Sequence, residues 1–132
     1  MIYGIGTDIA AVARFAQLQE RYGGRLAERL LTDDERADFA QTAQPSRFLA
    51  RRFAAKEAFG KALGTGVRVP ATLRSVGVGH DAQGKPLLTY APALADLVER
   101  LGLRAHLSIS DEADFAVAFV VLERIPGEGE RS

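Results

Sequence analysis

Phe53-Ala54-Ala55-Lys56-Glu57-Ala58-Phe59-Gly60-Lys61-Ala62-Leu63-Gly64-Thr65-Gly66 is the stretch on which the reading of this chain turns. It is rich in alanine and in long straight side chains, which favour helix. Gly64 is placed to stop that helix. Pro45-Ser46 opens it upstream. Leu49, Phe53 and either Lys56 or Glu57 lie along one side, and Phe48, Ala55, Phe59 and Leu63 supply apolar surface on the other. Glu57 and Lys61 are four apart and share a face, a pairing that ordinarily stabilises a helix by roughly 0.2–0.5 kcal/mol.

Working outward, Ile2 to Ile9 reads as a strand carrying Gly4-Ile5-Gly6-Thr7-Asp8-Ile9. Val12 to Tyr22 reads as an amphipathic helix with Val12, Phe15, Leu18 and Tyr22 on one stripe. Gly23-Gly24 breaks it, and Leu26, Leu30 and Leu31 suggest a short second helix. Thr32-Asp33-Asp34-Glu35 is a capping box that starts a helix running to about Thr42. On the other side, Ser75 to Gly79 and Pro86 to Tyr90 flank Asp81-Ala82-Gln83-Gly84 as a hairpin. Pro92 to Leu101 forms a short helix, and Arg104 to Ser110 with Phe115 to Glu123 forms a second hairpin. Strands joined by tight turns predict an α+β fold, an antiparallel sheet packed against helices. Residues 1–125 are expected to form one domain and residues 126–132 a flexible tail.

The 132 residues fit one domain with a modest core. Lys and Arg total 17, as do Asp and Glu, so net charge gives no support to nucleic-acid binding. The absence of cysteine excludes disulfides and Cys-ligated zinc. Met-Ile-Tyr-Gly-Ile-Gly lacks the features of a secretory signal. No apolar run reaches the roughly 18 residues needed to span a bilayer. A cytoplasmic enzyme is the expectation.

Asp8, Glu57 and Lys61 are the residues best suited to chemistry. Two acids and an amine beside a glycine-flanked turn could hold a divalent metal and a phosphorylated ligand. Each also has an ordinary reading: Asp8 as a strand-end turn residue, Glu57 and Lys61 as an intrahelical pair. Arg52 and Lys56 are like-charged neighbours four apart, which is unfavourable unless an anion sits between them. They are either a solvated face or a phosphate site. Gly64-Thr65-Gly66 could bring backbone amides to a nucleotide, at its adenine or ribose end because a helix C-terminus repels phosphate. Arg14, Arg21 and Arg25 give the first helix region a basic edge. That edge is either surface charge or a docking face. His80 sits at a hairpin with no functional argument.

Gly-Ile-Gly-Thr-Asp-Ile near the N-terminus, Arg-Phe-Leu-Ala-Arg-Arg-Phe-Ala-Ala-Lys-Glu-Ala in mid-chain, and His106-Leu107-Ser108-Ile109-Ser110 followed by Ala116-Val117-Ala118 occur in that order. Together they resemble the holo-[acyl-carrier-protein] synthases, the small single-domain 4'-phosphopantetheinyl transferases. The resemblance runs from about Ile2 to Glu123. It implies transfer of 4'-phosphopantetheine from coenzyme A to a serine of an acyl carrier protein, in fatty acid biosynthesis, with release of adenosine 3',5'-bisphosphate. It implies Mg²⁺ on Asp8 and Glu57, with Lys61 at the phosphates. Coenzyme A is expected at Arg52, Lys56, Gly64, Thr65, Gly66 and His106, the last near the 3'-phosphate. Acidic carrier protein is expected at Arg14, Arg21 and Arg25. The family is typically a homotrimer with its sites between subunits. The general base stays open between Glu57 and a metal-bound water. One departure is Asp111, where the family often has His. A Mg²⁺-dependent hydrolase of coenzyme A-like diphosphates and a non-catalytic carrier-binding module are the alternatives.

Overall fold

The computed structural model describes residues 1–126. Beyond Pro126, the expected tail lies outside the described residues. The elements run β1 (Ile2–Ala11), α1 (Val12–Tyr22), α2 (Gly24–Leu30), α3 (Asp33–Phe39), α4 (Pro45–Leu63), β2 (Val76–His80), β3 (Pro86–Tyr90), α5 (Pro92–Arg100), β4 (Leu103–Asp111) and β5 (Phe115–Arg124). The α+β expectation holds, but the strands divide into two antiparallel sheets. One is three-stranded, ordered β1-β5-β4; the other is the β2-β3 hairpin. Helix α3 stops short of Thr42. Its chain tightens after Phe39, where Gln41 N–H reaches the Asp38 carbonyl and Thr42 N–H the Phe39 carbonyl, three-residue steps that end an α-helix.

Helix α4 is the axis of the molecule. Phe48, Leu49, Ala54, Ala55, Ala58, Phe59, Ala62 and Leu63 are buried, so apolar contact surrounds it rather than lying on two strips. On one side it meets the inward face of the large sheet, where Ala116, Ala118, Val120 and Leu122 are fully buried. The approach to β1 is unusually close. A Cβ at Gly4 would lie 1.9 Å from the Ala62 carbonyl oxygen, and one at Gly6 would lie 2.0 Å from that of Ala58. Neither glycine can carry a side chain while strand and helix stay in contact. Gly64 closes α4 in the left-handed region, at φ 90°, where glycine has no steric penalty.

The opposite face of the large sheet is bare. Ile5 and Ile9 on β1 and Phe115 and Phe119 on β5 are each at least 44% exposed, which separates them from the buried residues alternating with them. Directly across, His106 on β4 pairs with Val121 and Ser108 with Phe119.

Candidate active site

Asp8 lies opposite Ala118 on β5, so it faces α4 with the buried side of the sheet. The Gly4 and Gly6 contacts hold that stretch of β1 against Ala58 and Ala62. Glu57 and Lys61 flank the same helical turn. The Lys61 ammonium donates to Asp8 Oδ1 at 3.1 Å and to the Thr7 carbonyl at 2.9 Å. The expected Glu57–Lys61 helical pair is therefore not the contact Lys61 makes. Burial, then the neighbouring Asp8 charge, push the Glu57 carboxyl above its ordinary range, and Lys61 and Arg14 partly offset this. The structure thus brings Asp8, Glu57 and Lys61 together from two distant segments, with Arg14 within electrostatic reach.

This cluster adds little to stability. A half-exposed ion pair contributes about 0–1 kcal/mol, and crowding two carboxylates is unfavourable. Among the described residues no group of three or more His, Cys, Asp or Glu is positioned to hold a metal. Two carboxylates with water and substrate oxygens nevertheless fit Mg²⁺, which favours oxygen donors and retains waters. Asp8 and Glu57 repel each other across this contact, and a bound cation would relieve that repulsion.

Lys56 requires a correction. It is fully buried, and its ammonium donates to Glu35 Oε1, to the Leu30 carbonyl at 2.7 Å and to the Leu73 carbonyl at 2.7 Å. All three donors are used, leaving none for coenzyme A. The anion expected between Arg52 and Lys56 is Glu35, and both solvent and phosphate are replaced by a carboxylate of the protein itself. Glu35 also accepts from Thr32 N–H at 3.0 Å, completing the capping box, and from Val78 N–H at 3.1 Å. Arg52 Nε sits 3.2 Å from Glu35 Oε2, too bent for a hydrogen bond, while its guanidinium lies 4.2 Å from the Phe48 ring centre. Burial lowers the proton affinity of both cations, and Glu35 raises it in part.

Arg52 also lines a cavity of about 250 Å³ with Phe48, Arg51, His80, Gly84 and Asp111. Nothing in the sequence marked His80 for this position. Asp111 meets Arg47 at 3.0 Å, and Arg47 also donates to the Glu112 and Ala113 carbonyls. Asp111 thus ties the β4–β5 turn to the start of α4. The Gly64 and Gly66 amides both bond back to the Gly60 carbonyl, at 3.1 and 3.0 Å. These two amides close the helix and are not free donors, contrary to the expectation for Gly64 and Gly66, while the Thr65 hydroxyl donates to the Gly66 carbonyl at 2.9 Å. His106 contacts Glu123 at 3.2 Å and lies on the bare face of the sheet, opposite to Asp8. Within one chain it does not join the cluster.

Arg14 and Arg25 line a cavity of about 360 Å³ with an apolar interior that includes Phe15, Leu18, Phe53 and Leu73. Arg14 stacks 5.5 Å from the Phe53 ring centre. Arg21 stands over Tyr22 instead, 5.4 Å from its ring centre, and does not line the cavity. Arg29, which the sequence reading passed over, does line it. The signal was present, since Arg29 follows Arg25 by one helical turn.

A family model described as the 4'-phosphopantetheinyl transferase superfamily matches residues 4–120. Across 93% of this chain and 98% of the relative, 61% of residues are identical to the holo-[acyl-carrier-protein] synthase of Dechloromonas aromatica. The crystal structure of the Neisseria meningitidis holo-[acyl-carrier-protein] synthase superposes with a TM-score of 0.91, at 50% identity over 94% of this chain and all of that one. The Bacillus anthracis synthase, solved in complex with CoA (3',5'-ADP), gives 0.79 at 37% identity over 95% of this chain and 99% of that one. The chain belongs to the 4'-phosphopantetheinyl transferase superfamily. Within it, the chain falls among the holo-[acyl-carrier-protein] synthases and is an enzyme.

Proposed function

We propose that this chain carries out that family's reaction in Mg²⁺-dependent form, with residues 1–125 as the working domain. The 4'-phosphopantetheine of coenzyme A moves to a serine of apo-acyl carrier protein. The serine oxygen forms a bond to phosphorus, the diphosphate's bridging P–O bond breaks, and adenosine 3',5'-bisphosphate leaves with the bonding electrons. The observation that carries this reading is the meeting of Asp8, Glu57 and Lys61 at the glycine-mediated contact of β1 with α4.

Asp8 and Glu57 would hold Mg²⁺, which when bound neutralises diphosphate charge and improves the leaving group. Lys61, already oriented by Asp8 and Thr7, stabilises charge on the transferring phosphoryl. The Glu57 carboxylate, beside Asp8 and Lys61, is the group of this chain proposed to take the serine proton. Arg51, in the smaller cavity, is suited to an anionic phosphate of coenzyme A, while Arg52 beside it is already paired with Glu35. Arg14, Arg25 and Arg29 around an apolar groove suit an acidic, amphipathic partner such as the carrier protein.

The bare sheet face supports assembly as a homotrimer. It is apolar, and it carries His106 on the side away from Asp8. A neighbouring copy could therefore offer His106 to a site that its own chain cannot reach. Mass spectrometry of apo-carrier protein after incubation with coenzyme A tests the proposal. A pantetheine-sized mass gain that needs Mg²⁺ supports it. Cleaved coenzyme A with unmodified carrier protein indicates the hydrolase, and no turnover indicates a binding module.

A further inference from the structure

We infer that Lys56 is a positioning residue for the arginine-lined groove: from beneath, it fixes the spacing of the two walls between which a partner docks. One wall is α2, which contributes Arg25, Leu26, Arg29 and Leu30; the other is the loop carrying Leu73. Lys56 donates to the Leu30 carbonyl at the end of the first wall and to the Leu73 carbonyl of the second. The Leu30 carbonyl is among the last four of α2, which lack helical partners and carry the negative end of the helix dipole. Among the described residues no backbone hydrogen bond joins α2 to residues 66–75. Higher up, the walls are parted by an open cleft lined by Glu28, Arg29, Val67 and Thr72. One ammonium therefore supplies a hydrogen-bonded link between them. A buried ion pair is a weak stabiliser compared with apolar packing. A three-pronged ammonium bond, by contrast, dictates distances, and these determine how Arg25 and Arg29 stand relative to Arg14.

This rests on the reading of the groove as a carrier-protein docking site, so the test has one arm without carrier protein. In free protein, Lys56→Met should speed amide exchange in residues 24–31 and 71–75 while leaving β4 and β5 protected. In turnover, the same variant should raise the KM for carrier protein about 10-fold and change the KM for coenzyme A less than about 2-fold. Glu35→Gln, which leaves Lys56 its two carbonyls, should lower the melting temperature with little change in carrier KM. If Lys56→Met is too unstable to assay, Lys56→Gln keeps a donor for Glu35 but has too few N–H groups to serve both carbonyls as well, and should show the same split. Equal loss of both KM values, or no local loosening, overturns the inference. A loosened groove with normal carrier KM also overturns it. If Arg25→Glu then leaves carrier KM unchanged as well, the docking reading falls too.

Discussion

Lys61 turns from Glu57, its neighbour on the helix, to Asp8 on the strand, which is the contact the proposed chemistry needs and not the helix-stabilising one. Because the pair is half exposed, Lys61→Ala should leave the melting temperature nearly unchanged. It should nevertheless lower kcat by roughly 10²-fold, the scale for losing a preorganised charge stabiliser. Lys61→Arg should recover only part, since a planar fork replaces a point charge. Steady-state kinetics beside thermal melts decide this, and a kcat within a few-fold of wild type would return Lys61 to ordinary surface charge. Glu57 makes the opposite demand on stability. Its folded-state proton affinity exceeds its ordinary value, so between those two pKa values the folded chain binds more protons than the unfolded one. Stability therefore falls as pH rises through that window. Without divalent cation, Glu57→Gln should melt at a higher temperature than wild type above the window and converge with it in acid; with Mg²⁺ added it should stay inactive where wild type turns over. The motif made Asp8, Glu57 and Lys61 legible from sequence. It could not place Lys56, because a lysine's fate depends on its partner, and Glu35 lies 21 residues away on another helix. In the sequence Glu35 looks only like a capping residue, and its burial is a tertiary fact.

Between elements, the decisive contact is β1 against α4. Gly6→Ala would drive a methyl to 2.0 Å from the Ala58 carbonyl, backbone that cannot swing aside. Strand and helix must part, at a cost of about 1–3 kcal/mol if the fold survives. Turnover should fall much further than stability does, because Asp8 moves with the strand. Comparing the melt with kcat checks the claim, and proportionate losses would contradict it. Helix α1 contributes through Arg14, which shares the groove with Arg25 and Arg29. Arg14→Glu should raise the KM for carrier protein more than Arg21→Glu does, since Arg21 stands outside the groove. Added salt should weaken wild-type docking and affect Arg14→Glu less. Most boundaries were legible because glycine, proline and the Thr32 capping box punctuate the chain. Strand partnership was not legible. Hairpins declare themselves through short turns, whereas the pairing of β1 with β5 leaves no local mark.

For the whole molecule, the bare face bearing Ile5, Ile9, Phe115 and Phe119 predicts self-association. Sedimentation at micromolar concentration should show a trimer, and Phe119→Glu should yield monomers with little turnover. A fully active monomer would separate the site from any interface. The sheet that carries this face has a further consequence, for synthesis. Thr7 bonds to Ala118 across 111 residues of sequence. At about 5–20 residues per second, the strand bearing Asp8 emerges from the ribosome about 5–20 seconds before its partner. Helix α4 can collapse onto it in the meantime, but β5 must arrive before the sheet exists. The Asp8 carboxylate is thus among the first groups made and among the last set in place. A nascent chain stalled before Phe115 would hold every residue of the cluster and still lack the enzyme.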